Sequence, residues 1–139
     1  MQSNTSRHTI WAGHAVTILV VLIMIADAAI NLFAPQTLVV EQAKVGFAPE
    51  SSAILGVIML VCAAVYAVPR TSVVGAILIT GFFGGAICAH FRVGELAAPA
   101  QLIAVAVAVL AWLGLWLRND VVREVLGKGT SANGRLDVS

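Results

Sequence analysis

Four long apolar blocks constrain this chain more than any other feature: Ile10 to Leu32, Ser52 to Val68, Val73 to Phe91 and Leu96 to Leu117. A hydrocarbon core about 30 Å thick is crossed by about 20 helical residues, and these blocks run between about 17 and 23. Inside lipid every backbone N–H and C=O must be satisfied within the protein, so each block is expected as an α-helix. Charge is correspondingly scarce. Only 11% of the 139 residues are charged and 60% are apolar, far from the balance of a water-soluble domain.

Punctuation between the blocks agrees. Pro35 follows the first, Pro49-Glu50-Ser51 precedes the second, Pro69-Arg70-Thr71-Ser72 precedes the third and Pro99 stands near the start of the fourth. The last two connections are short enough to force antiparallel neighbours. The expected fold is therefore all-α, a four-helix transmembrane bundle running up-down-up-down, with 34–51 as the only loop of any length. Residues 1–9 are read as an N-terminal segment and 10–117 as one transmembrane domain, with helices about 10–32, 52–68, 73–91 and 96–117. Residues 118–139 form a polar tail, expected to begin as a short surface helix through Leu126 and to fray from Gly127. A secretory signal peptide is the rival reading of the first block, given Arg7 before it and Ala26-Asp27-Ala28 within it. It is set aside because signal h-regions run only about 7–15 residues.

Orientation follows from the basic residues. Arg7, Arg70, Arg118, Arg123, Lys128 and Arg135 fall on one side and Lys44 and Arg92 on the other, accounting for all eight Lys and Arg. Basic loops resist translocation, so both termini are expected in the cytoplasm of a multi-pass protein of the bacterial cytoplasmic (inner) membrane. Trp11, Tyr66, Trp112 and Trp116 are placed by the same count at the inner interface. A net charge of +1, with no long basic or acidic run, argues against nucleic acid as a partner.

Polar residues inside the blocks are the candidate site. Asp27 and Asn31 lie in the outer part of the first helix, His90 and Arg92 at the outer end of the third, and Lys44 and Glu50 in the loop above; together they are expected to line an outward-facing pocket. A carboxylate in a helix interior costs about 2.5–3.5 kcal/mol on insertion scales, so Asp27 is expected to face protein or water. It is read either as a proton acceptor or substrate anchor working with His90, or as a structural hydrogen-bonding group. His90 in turn is read as an interfacial side chain or as an acid–base group.

His14 and His90 cannot share a haem, since they lie about 6 Å and about 26 Å from the inner side at the helical rise. Cys62 and Cys88 differ in depth by more than about 10 Å, too far for a disulfide, and are read as packing residues. No metal site is expected. Gly75, Gly81, Gly84 and Gly85 on the third helix, with Ala89, form a small-residue stripe that serves either the bundle interior or a homodimer.

The stretch Tyr66 to Glu95, YAVPRTSVVGAILITGFFGGAICAHFRVGE, resembles the DoxX-like family of small bacterial membrane proteins. The Pro69-Arg70-Thr71 turn leads into a Gly-rich helix ending near His90 and Arg92, as in that family. Asp27 to Phe33 is similar to an Asp-containing, Lys-Leu-ending family segment, and Trp112 to Trp116 matches near the end. Two positions depart from the family pattern: Asn31 stands where a Lys is expected, and Met59 where members often carry a Glu. The resemblance implies a four-helix membrane protein, and relatives are associated with thiosulfate:quinone oxidoreductase complexes or with membrane-linked oxidative-stress assemblies. It thus implies an accessory or anchor subunit of a quinone-linked redox system, with quinone as the cofactor in reach and a soluble redox protein as partner. Two other readings stand beside it: a small-molecule binding protein or carrier using the Asp27 and His90 pocket, and a cofactor-free, isomerase-like membrane enzyme.

Overall fold

The computed structural model describes the backbone of residues 3–48 and 50–131 and the side chains of residues 7–48 and 50–125. Within that range helices are the only regular secondary structure. Four long helices, α1 (Ser3–Phe33), α3 (Ser51–Ala67), α4 (Ser72–Arg92) and α5 (Pro99–Arg118), carry the apolar blocks. A 3-10 turn (Pro35–Thr37) and a short α2 (Val39–Lys44) fold the long connection, and α6 (Asp120–Ser131) follows the last block. The helix of the first block begins at Ser3, well before the apolar run starts. The end of the tail, residues 132–139, lies outside the described residues.

Local chemistry explains the helix ends. Ala34 makes the last bond of α1, to Ile30 at 2.9 Å, and Pro35 then has no N–H with which to continue. Val68 turns extended because Pro69 follows, closing α3. The Thr71 hydroxyl donates to the Val65 carbonyl at 2.8 Å and the Ser72 hydroxyl to that of Pro69 at 3.0 Å, so the turn through Pro69, Arg70 and Thr71 is held by its own side chains. Gly94, with φ of 80°, takes the left-handed conformation that ends α4. At α5, Pro99 occupies the first turn and the Gln101 side chain accepts from the Ala98 N–H at 2.9 Å. Asn119 caps α6, its Oδ1 accepting from the Val121 N–H at 3.0 Å and the Val122 N–H at 3.3 Å.

The long helices pack side by side: α1 against α3 and α5, and α4 against the same two. Between them lies a core of Val20, Met24, Met59, Tyr66, Ile79, Val107 and Leu115, with small Ala28, Ala63, Ala76 and Ala111 at the close approaches. Tyr66 sits in this core rather than at the interface. It is fully buried, and its hydroxyl donates to the Ala111 carbonyl at 2.8 Å, because its face of α3 points at α5. A count along the chain gives depth but not azimuth. Trp11, by contrast, is 72% exposed.

The glycines of α4 divide. Gly75 lies against the Tyr66 backbone, where a Cβ would collide with N and Cα, so it permits the contact of α3 with α4. Gly81, Gly84 and Gly85 have open space where a Cβ would stand, and among the described residues no other helix uses their small size. Cys62 is buried, whereas Cys88 is exposed on the outer face and takes no part in the core.

The outer surface is the reverse of that of a water-soluble protein. Ile18, Leu22, Ile54, Val57, Ile77, Leu102, Ile103 and Val109, spread over the four long helices, are more than half exposed. A continuous apolar exterior of this kind belongs in lipid. Three helices, 7–33 within α1 together with α4 and α5, are long and apolar enough to cross a membrane by length and composition; α3 is apolar but shorter.

Candidate functional site

A cavity of about 360 Å³ lies among α1, α3, α4 and α5, toward the α2 end. Its walls are mainly apolar, with Ile23, Leu55, Met59, Phe82, Phe83 and Ile103, and its polar lining is Asp27, Asn31, His90 and Gln101. A second space of about 270 Å³ shares Asp27, Asn31 and His90 with it and reaches Glu41, Gln42 and Val45 under the α2 connection. Three of the six polar positions singled out from the sequence therefore line one space, although His90 lies far from the other two along the chain.

Asn31 is held from two sides. Its amide nitrogen donates to the Asp27 carbonyl at 3.0 Å and, at 3.4 Å, to the Asp27 carboxylate. Its carbonyl accepts from Gln42 Nε2 at 3.1 Å, and Gln42 Oε1 accepts from the Ser52 hydroxyl at 2.5 Å. Three elements thus satisfy one another's polar groups, as side chains withdrawn from water require. Asp27 itself receives only the long Asn31 contact and has no ion-pair partner among the described residues, leaving its carboxylate available to the cavity.

On the opposite wall, His90 Nδ1 lies 2.6 Å from Glu95 Oε2. An ionised carboxylate only accepts, so Nδ1 carries the proton in this contact and Nε2 is the nitrogen left for other partners. Gln101 locks the same corner, its Nε2 donating to the Glu95 carbonyl at 3.1 Å and the Ile87 carbonyl at 3.5 Å. Gln42, Ser52, Glu95 and Gln101 were not singled out from the sequence. The one available signal was for Gln101, a glutamine three residues after a residue preceding Pro-initiated helix, which is a capping position.

Arg92, Lys44 and Glu50 do other things. Arg92 Nη2 donates to the Val45 carbonyl at 2.8 Å, so it ties α4 to the α2 connection instead of lining the cavity. Gly46, with φ of 84°, leaves room for that guanidinium; a Cβ there would stand 2.6 Å from Nη2. Lys44 pairs with Glu41 at 2.7 Å, and that hydrogen bond raises the ammonium pKa above its ordinary value. Glu50 is exposed. Asn31 and Met59 both line the cavity and contribute an uncharged amide and an apolar side chain. No group of three or more His, Cys, Asp or Glu among the described residues is arranged to hold a metal ion.

Apolar helices with a lipid-suited exterior around a partly polar cavity define a helical membrane protein. The chain belongs to the DoxX-like family, whose model matches residues 15–114, from the first half of α1 to the last turns of α5. No curated protein and no solved structure matches it.

Proposed function

We propose that the protein is a four-helix, multi-pass protein of the bacterial cytoplasmic membrane with both termini in the cytoplasm. In this reading its cavity receives the ring of a quinone for a redox system whose electron donor or acceptor is a separate soluble chain. The observation that carries this reading is the convergence of Asp27 from α1 and His90 from α4 on one apolar-walled space. Small-molecule sites have this character, about 300–1,000 Å³ of mostly apolar wall with a few placed polar groups.

A quinone supplies two-electron, two-proton chemistry at oxygens that accept hydrogen bonds when oxidised and donate them when reduced. The residues present fit both forms. With Nδ1 engaged by Glu95, His90 Nε2 would be free to take a proton from a hydroxyl and to return it to a carbonyl oxygen. Asp27 accepts from a second hydroxyl, and Asn31 holds Asp27 in place. Phe82, Phe83 and Met59 exclude water from the ring. Electrons pass to or from the partner chain, for which docking at the membrane surface is required.

The test is to purify wild type and Asp27→Asn in mild detergent and identify co-purified small molecules by mass spectrometry, with a pull-down from native membranes alongside. A quinone present with wild type and lost with Asp27→Asn supports the reading. Equal recovery from both, or none from either, contradicts it. A carrier is the second reading, favoured by the polar chain from Ser52 through Gln42 and Asn31 to Asp27, which links the cavity to the α2 connection. Proton-dependent uptake into vesicles would select it.

A further inference from the structure

A second site lies at the other end of the helices, around Arg118. Two of its guanidinium nitrogens, Nε and Nη2, are sealed from solvent and have no hydrogen-bond partner among the described residues. The base of the side chain is held in position. Its guanidinium carbon stands 5.7 Å from the Tyr66 ring centroid, and α1 comes so close to α5 that a Cβ on Gly13 would lie 2.9 Å from both Arg118 Cβ and Arg118 N. A charged donor withdrawn from water without an acceptor is unfavourable, so a side-chain movement that turns these nitrogens toward an incoming oxygen is favoured.

Two spaces meet at this arginine. One, of about 330 Å³, has a mixed lining in which His14, Ser72, Arg118 and Asn119 are polar and Pro69 and Val121 apolar. The other, of about 230 Å³, shares His14, Pro69 and Arg118 and continues between α1 and α3 past Ile18, Val21 and Leu22. Ile18 and Leu22 are 59% and 58% exposed, so this groove opens to the lipid-facing surface. Asp120 also borders the first space, but its carboxylate is 91% exposed and pairs with Arg123 at 3.2 Å. Trp116, with Arg123 over its ring at 5.5 Å, stands at the same end, where indoles prefer headgroup depth.

We propose that Arg118 binds the phosphate of a membrane phospholipid, with one acyl chain lying in the groove along Ile18 and Leu22. The guanidinium fork matches the oxygens of a phosphodiester, and the groove distinguishes a lipid from a free anion. Arg118 itself lies beyond residues 15–114, the stretch matched by the family model, whereas the groove residues Ile18 and Leu22 lie within it.

The full chain, delipidated in a maltoside detergent, would be titrated with dioleoyl phosphatidylglycerol, with dioleoylglycerol and with inorganic phosphate, and bound species counted by native mass spectrometry. A single phosphatidylglycerol is expected to bind, with neither control retained. Arg118→Gln should weaken it by about tenfold or more, the loss of a charge-assisted hydrogen bond. Leu22→Trp, on an exposed position outside the core, should fill the groove and weaken the lipid without altering the fold, which keeps the test valid if Arg118→Gln does not fold. Equal retention of dioleoylglycerol would show a greasy groove only. Displacement of the lipid by millimolar phosphate would show a free-anion site. Either result, or undiminished lipid binding by Leu22→Trp, overturns the proposal.

Discussion

Gln42 Nε2 donates to Asn31 Oδ1 at 3.1 Å, so the short helix over the cavity is fastened to the same side chain that steadies Asp27. The residue that closes the cavity and the residue that positions its carboxylate are joined by one hydrogen bond. Replacing Gln42 with Ala leaves Asn31 Oδ1 and the Ser52 hydroxyl each short of a partner. A loss of about 1 kcal/mol is expected, read as a lower midpoint of thermal unfolding in detergent, together with faster proteolysis of the 34–50 connection.

Gly75 and Gly81 should respond oppositely to enlargement. Gly75→Leu drives a side chain into the Tyr66 backbone, where neither helix can yield, and a loss of about 3 kcal/mol or more is expected. Gly81→Ala meets open space and should leave the unfolding midpoint unchanged or raise it, since Ala favours a helix over Gly by about 1 kcal/mol. Equal destabilisation by both would mean that α4 turns a different face to its neighbours.

Tyr66→Phe removes the hydroxyl that reaches the Ala111 carbonyl while keeping the ring in the core. The expected cost is about 1 kcal/mol, measured as the same midpoint shift, because a buried hydrogen bond between helices is lost while the carbonyl keeps its partner within α5. An interfacial tyrosine would show almost no effect.

The two cysteines give a labelling test on the unmutated protein. In detergent, a small maleimide should modify Cys88 first, and Cys62 only under unfolding conditions, since one is exposed and the other packed in the core. Mass mapping of the labelled peptides reads this directly; prompt labelling at Cys62 would contradict the packing of α3.

Much of this architecture could be read from residue order because lipid imposes a coarse rule: long apolar runs become helices, and Pro35, Pro69 and Pro99 mark where they end. Asp27 was legible for the same reason, as a charge too costly to leave unexplained in such a run. Azimuth was not legible. The depth of Tyr66 suited an interfacial ring and that of Gly81 a packed one, but which way each faces depends on how α3 and α4 rotate against their neighbours. Gln42, Ser52 and Gln101 escaped notice because isolated polar residues near helix ends are ordinary, and only the folding back of α2 and the approach of α5 to α4 turn them into parts of one site. Arg92 was drawn toward the cavity by its proximity to His90; two residues on along a helix it points elsewhere, to Val45.

The most direct test of the Asp27 and His90 cavity as a quinone site is to titrate purified, delipidated protein with a short-chain ubiquinone and follow quenching of its tryptophan fluorescence, comparing wild type with His90→Gln and with Ala86→Trp, which fills the cavity. Saturable binding by wild type, weakened by about tenfold in His90→Gln and abolished in Ala86→Trp with the fold retained, is expected. Binding that is unchanged by filling the cavity, or absent from wild type, would contradict the assignment.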